Sequence, residues 1–157
     1  DIASAIKDRK DLLFFASGVS NSRETRESEY RREIDLLLKQ DRNSHIVYFS
    51  SLCIYYSNGR YARHKKRMEE LVKKFKKWTI IRIGNIDWGT NPHTLINYLK
   101  NKKSKGQKLH VKNVYRYILN REEFDHWIKL IPPWSCEMNV PGRRMKVREI
   151  VNEYINK

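Results

Sequence analysis

The residues best suited to chemistry sit in one short stretch, Tyr61-Ala-Arg-His-Lys65, and in the serine pair Ser50-Ser51 that ends the apolar run before it. On a helix, side chains at i and i+4 share a face, so the Tyr61 phenol and the Lys65 ammonium are neighbours. A cation beside a phenol favours the phenolate and draws a pKa of about 10 toward the working range of an acid/base catalyst. A serine hydroxyl nearby would hold the substrate oxygen whose proton the tyrosine moves. Tyr-x-x-x-Lys alone is a weak signal, because it recurs by chance on lysine-rich helices, and alone it reads as ordinary helix surface. Position gives it weight: a strand, Ser50-Ser51, the pair at a helix start, then another strand. His64 reads as helix surface. The histidines form no i, i+4 pair and no cluster with cysteine, so a metal site is not expected.

The elements that must position these groups are legible as short apolar runs and amphipathic stretches. Leu12–Ala16, Ile46–Ser50 and Ile80–Ile83 are nearly continuous, β-branched or aromatic, as parallel strands buried on both faces are. Tyr30, Ile34, Leu37 and Leu38 fall on one helical face between the first two strands; Met68, Leu71, Val72 and Phe75 do so between the second and third. Strand–helix–strand at this spacing implies right-handed crossovers and an α/β sheet with covered faces, a Tyr61–Lys77 helix lying on one of them. Further on, Thr94–Lys103 reads as a helix, Tyr115–Leu119 as a strand, and Phe124, Trp127, Ile128 and Ile131 as a helical stripe stopped by Pro132-Pro133. A C-terminal helix carrying Val147, Ile150, Val151 and Tyr154 follows the Pro141-Gly142 turn. Open α/β sheets bind ligands outside the carboxyl ends of their strands, which is where Ser50-Ser51 lies.

At 157 residues with no linker or repeat, the chain reads as one domain, residues 1–157. Its longest apolar run, Leu12 to Ala16, is far below the ~20 residues of a membrane span. The two cysteines, Cys53 and Cys136, form no CxxC pair. With Asp1 and a charged turn at its start, the chain reads as soluble and cytoplasmic, without a signal peptide. Its net charge of +15 is unevenly placed. Residues 1–44 sum to zero, whereas Arg60–Lys77 carries nine bases against Glu69 and Glu70, and Lys100–Arg116 carries seven bases and no acid. Such a field attracts anions, although a solvated basic surface explains it equally well.

Taken with their order, these motifs make the sequence resemble the extended short-chain dehydrogenase/reductase family, of the NAD-dependent epimerase/dehydratase type, over nearly the whole chain. Asp11-Leu-Leu-Phe-Phe-Ala16-Ser17-Gly18 is similar to that family's fourth strand, whose small residues face the cofactor. Ile46-Val-Tyr-Phe-Ser50-Ser51-Leu-Cys-Ile-Tyr55 resembles its fifth strand and Ser-Ser-x-x-Val-Tyr motif. The resemblance implies catalytic roles for Ser51, Tyr61 and Lys65. Arg82-Ile-Gly-Asn85-Ile-Asp-Trp-Gly89 resembles the stretch whose asparagine contacts substrate, and Arg116-Tyr-Ile-Leu-Asn-Arg-Glu-Glu123-Phe124 keeps the spacing of one whose arginine binds a nucleotide-sugar diphosphate. It implies Asn85 and Arg116 as substrate-binding, and Ala16, Ser17, Gly18, Ser50, Lys65, Gly84 and Ile86 as cofactor-binding, the cofactor being NAD or NADP. Glu137-Met-Asn139-Val-Pro-Gly142 and Val147–Ile155 resemble the closing strand and helix, within a substrate-side region spanning residues 105–157. Asn85 and Trp88 serve loop packing as readily as ligand contact. The fold implied is a reduced Rossmann-like, three-layer α/β fold with a mostly parallel sheet.

The departures are as informative. Asp1-Ile-Ala-Ser-Ala-Ile6 resembles the residues trailing a Gly-rich loop, with Ala3 in the third-glycine place, but the glycines are not in this sequence. From Ile6 the chain runs almost straight into the Leu12 strand, so the family's second and third strands, and the residue that holds the adenosine ribose, are expected to be missing. Glu33 stands near where the family keeps an asparagine. The stretch between Ser51 and Tyr61 is short, which trims a wall of the substrate pocket. Two function classes fit. One is an NAD(P)-dependent oxidoreductase or epimerase/dehydratase-like enzyme acting on a carbonyl/hydroxyl of an anionic, nucleotide-linked sugar. The other is a non-catalytic descendant that binds nucleic acid or a protein partner through its basic face. Dinucleotide binding by these residues alone is expected to be weak. No membrane partner is expected, and a homo-oligomer fits either class.

Overall fold

The apolar runs at 12–16, 46–50 and 80–83 become three neighbouring parallel strands. The computed structural model describes residues 1–6, 9–109 and 111–156. In chain order the elements are α1 (Ile2–Ala5), β1 (Leu13–Phe15), α2 (Glu27–Leu38), β2 (His45–Ser51), a 3-10 turn (Leu52–Tyr55), α3 (Arg60–Val72) and β3 (Lys77–Ile83). The second half adds β4 (Asn85–Ile86), α4 (Leu95–Ser104), β5 (Tyr115–Leu119), α5 (Arg121–Lys129), β6 (Cys136–Val140), β7 (Arg143–Lys146) and α6 (Val147–Ile150), which continues as a π-helical turn, Val151–Ile155.

The main sheet is all parallel, in the order β1-β2-β3-β6, with Leu13 opposite Ile46, Tyr48 opposite Ile80 and Ile81 opposite Met138. Successive side chains of a strand point to opposite faces, and β2 feeds two cores. Ile46 and Tyr48 pack with Leu37 of α2, Met68 and Val72 of α3, and Ile80. Val47 and Phe49 pack on the other side with Ala5 of α1, Ile81, and Phe124 and Ile128 of α5. Helices therefore cover both faces, and the architecture is the expected three-layer α/β fold. Among the described residues no helix is long and apolar enough to cross a membrane.

One expectation needs adjusting. The helix expected over 61–77 ends at Val72, because Lys76 N donates to Arg42 O and Lys77 already pairs with His45 as the first residue of β3. Phe75 still reaches the core, from the turn after the helix rather than from the helix itself. The Tyr115–Leu119 strand forms as expected and lies in a second small sheet, β4-β5-β7, parallel to β4 and antiparallel to β7. That sheet rests on its own core of Ile96, Leu99, Ile118, Met145 and Ile150. Gly84 is where the chain leaves one sheet for the other. A Cβ there would lie 2.3 Å from Pro141 O and 2.9 Å from Tyr117 O, so only glycine lets the three segments meet.

Candidate active site

The carboxyl ends of β1, β2 and β3 open on a cleft of about 560 Å³. The first turns of α3 and the start of α4 close its sides. Ser51, the last residue of β2, caps the 3-10 turn by accepting a hydrogen bond from Cys53 N at 3.2 Å. That turn carries the chain to Gly59, whose carbonyl accepts from Arg63 N and starts α3. Tyr61 and Lys65 then project from the first turns of the helix into the same cleft as Ser51. The i, i+4 spacing does what it should: the Lys65 Nζ lies 5.5 Å from the centre of the Tyr61 ring. The Tyr61 hydroxyl has no hydrogen-bond partner among the described residues.

Of the other residues assigned to a site, Ala16 and Gly18 lie on the cleft beyond β1, and Gly84, Asn85 and Ile86 beyond β3. Arg116 borders it from β5, donating to Tyr115 O, and Asn85 donates to Tyr117 O at 3.1 Å. Ser17 is not on the cleft wall; its carbonyl accepts from Arg32. Ser50 reaches the wall, but its hydroxyl is committed to Glu69 Oε1 at 2.6 Å. Trp88 packs against Phe124 with ring centres 5.3 Å apart, so packing is the reading the structure supports for it.

Electrostatically the site differs from the simple tyrosine–lysine expectation. The Tyr61 phenol is pushed well above its ordinary value of 10.0, first by burial and then by Cys53, Glu33, Tyr30 and Tyr56 around it. Lys65 is only 3% exposed, and its ammonium donates to Glu33 Oε1 at 3.2 Å and to Tyr48 OH at 3.0 Å. Glu33, on α2, is wholly buried and also accepts from Val19 N, Tyr48 OH and His64 Nε2, each at 2.8 Å. His64 is thus buried beneath the helix and not on its surface as expected. Burial pushes the Glu33 carboxyl up, but the Lys65 charge and the bonds from His64, Val19 and Tyr48 outweigh it and hold the pKa at about 2. Motif reading placed Glu33 near the family's asparagine position but did not anticipate the buried network it builds with Lys65, Tyr48 and His64. The signal was there: Glu33 lies three residues from Tyr30 and four from Leu37, on the apolar stripe of α2.

A pH dependence of stability follows. Unfolded, Glu33 takes up a proton near its ordinary 4.5; folded, it resists until about 2. Its contribution, on the order of 3 kcal/mol, is complete above the unfolded value and lost as pH falls through the folded one. Denaturant unfolding at a series of acid pH values should show this slope, and Glu33→Gln should remove most of it. An unchanged slope in the variant would assign acid sensitivity to other carboxylates.

No family model matches the sequence, and no curated protein matches it significantly. Solved structures do. The Bordetella bronchiseptica enzyme WbmH, crystallised with NAD+, superposes with a TM-score of 0.67 at 13% identity, over 88% of this chain and 55% of that one. The chain shares the fold of this NAD-bound enzyme. The Helicobacter pylori ADP-L-glycero-D-manno-heptose-6-epimerase matches at TM-score 0.64 and 18% identity, over 90% of this chain and 56% of its own. The dTDP-glucose 4,6-dehydratase of Bacillus anthracis, in complex with NAD, matches at 0.64 and 15%, over 90% and 56%. This chain thus spans about half the length of these enzymes. Among its described residues no group of histidine, cysteine and carboxylate side chains is placed to hold a metal ion.

Proposed function

We propose that this chain carries the proton-transfer site of an NAD(P)-dependent epimerase- or dehydratase-like enzyme acting on the carbonyl or hydroxyl of a nucleotide-linked sugar. The observation that carries the reading is the convergence of Ser51, Tyr61 and Lys65 on one cleft at the carboxyl edge of a parallel sheet. Enzymes of the same fold crystallised with NAD support it. The donor set fits the nicotinamide half of a dinucleotide: Ala16 and Gly18 leave room beside β1, and Lys65 keeps one N–H beyond its two bonds to Glu33 and Tyr48. The adenosine half is less well provided, since no Gly-x-Gly occurs in the sequence. When bound, the nicotinamide would supply hydride transfer. Ser51 would fix the reacting oxygen, Tyr61 would give or take its proton, and Asn85 and Arg116 would hold the polar and anionic parts of the substrate from the opposite wall.

Calorimetry with NADH, NADPH and a nucleotide diphosphate tests this. The expected result is binding weakened several-fold by Arg116→Ala for the nucleotide diphosphate and by Lys65→Met for the dinucleotides. The basic surface offers a second reading, because Arg23, Lys102 and Lys105 surround a separate shallow cleft. If nucleic acid is the partner, log affinity should fall steeply and linearly with log salt, whereas a single nucleotide gives a shallow slope. Steep salt dependence together with no nucleotide binding would replace the enzyme reading by the binding-module one.

A further inference from the structure

The Lys65 ammonium is usually invoked to make a neighbouring phenol more acidic, yet here it is engaged from behind by a carboxylate. Glu33 Oε1 and the Tyr48 hydroxyl take two of its three N–H groups, and Tyr48 in turn donates to Glu33. Gly18 sits so close to this pair that a Cβ would lie 2.7 Å from Glu33 Oε1 and 3.0 Å from Lys65 Nζ. The carboxylate and the ammonium are both buried, where opposing fields act at close range with little screening by water. From the other sides, Tyr61 feels Cys53 within the 3-10 turn, Tyr56 just after it and Tyr30 on α2. Tyr30 itself carries the Arg60 guanidinium over its ring at 4.7 Å and the His64 ring at 4.7 Å. The other Glu33 oxygen is taken by His64 Nε2 and Val19 N, each at 2.8 Å.

We propose that Glu33 is a positioning residue that clamps Lys65 and cancels its charge at Tyr61, so that the Tyr61 hydroxyl is held as a proton donor rather than as a phenolate base. This rests on the reading of Tyr61 and Lys65 as the proton-transfer pair, and it adds a direction to it. The site is set to protonate an oxygen, as in carbonyl reduction, while taking a proton from a hydroxyl requires alkaline conditions or a ligand that draws Lys65 away from Glu33. Lys65 has one donor left for such a ligand, and it borders the cleft.

The test is the ionisation of Tyr61 itself, read by carbon NMR of ring-labelled tyrosine, the Tyr61 signal among the nine tyrosines being the one lost in Tyr61→Phe. In the unaltered protein that signal should stay at the phenol position up to about pH 9. Glu33→Gln should lower the titration by at least one pH unit, a tenfold or greater loss of proton affinity. Lys65→Met should raise it, and Glu33→Gln/Lys65→Met should return it to within about half a unit of the unaltered protein. A Tyr61 phenolate at neutral pH in the unaltered protein would overturn the proposal, as would a Gln variant that titrates where the parent does. If Glu33→Gln does not fold, the double variant, which buries no uncompensated charge, decides: a Tyr61 titration a unit or more above the parent would show that Lys65 had not been cancelled. The measurement needs neither cofactor nor substrate. Its failure therefore leaves the nucleotide-binding test of the function standing, and failure of that test leaves the clamp standing.

Discussion

If Tyr61 has the proposed proton-transfer role, Tyr61→Phe should cut turnover by roughly two to four orders of magnitude and leave the fold as it is. The substitution removes one hydroxyl and keeps the ring beside Lys65. That hydroxyl bonds to no described residue, so the stability change should stay within about 1 kcal/mol. Loss of a positioned proton donor costs roughly 10²- to 10⁴-fold in rate. The reduction should fall on kcat and kcat/KM together, because the proton moves only in the transition state. Tyr56→Phe, on the same cleft wall, is the control for crowding and should change turnover by no more than a few-fold. Ser51→Ala should fall between them, since Ser51 would fix the reacting oxygen without supplying its proton, and it should also loosen the 3-10 turn by releasing Cys53 N. Steady-state kinetics on a nucleotide-linked sugar that the unaltered protein turns over, with thermal unfolding of each variant, separates these effects. Undiminished turnover in Tyr61→Phe would remove Tyr61 from the chemistry.

The strands that present this site were readable because each was a near-continuous apolar run buried on both faces, a pattern that survives without any partner in view. Helices α2 and α3 were readable from their stripes. What escaped notice was polar and long-range. Arg143–Lys146 has one buried residue, Met145, and nothing in Arg-Arg-Met-Lys announces a strand; it becomes one only because β5 offers it an edge. Asn85–Ile86 is too short for any periodicity. In the site, Tyr61 and Lys65 were found from spacing, because i and i+4 are fixed by the helix. The field they experience was not, since Glu33 and Tyr48 arrive from two other elements, 32 and 17 residues away. The stripe of α3 held a further hint, with Lys65, Met68, Glu69 and Val72 all buried on one face. Charged residues in an apolar stripe require buried partners, and the partners lie across the fold.

Glu69→Ala should be among the most destabilising single changes in the chain. Glu69 is buried on α3 and accepts from Ser50 Oγ at 2.6 Å, from Arg82 Nε at 3.0 Å and from Arg82 Nη2 at 2.7 Å. Removing it leaves the Arg82 guanidinium, 8% exposed on β3, without its two-pronged partner and Ser50 without an acceptor. Breaking one side of a buried pair typically costs about 3–5 kcal/mol. The lower end is expected here, because Arg82 keeps Glu137 at 2.8 Å and the Tyr55 hydroxyl at 2.8 Å. Glu137→Ala is the comparison. It removes a carboxylate that is 36% exposed and shared with Lys73, and by the usual worth of such pairs it should cost about 1 kcal/mol or less. The Glu69 network also bears on the site, because the Tyr55 hydroxyl donates a hydrogen bond to Asn139 Oδ1 at 3.0 Å and so ties the 3-10 turn after Ser51 to β6. Denaturant unfolding of the two variants orders the effects. A Glu137 variant less stable than the Glu69 variant would mean that the half-exposed pair, and not the buried fork, holds the carboxyl end of β2 in place.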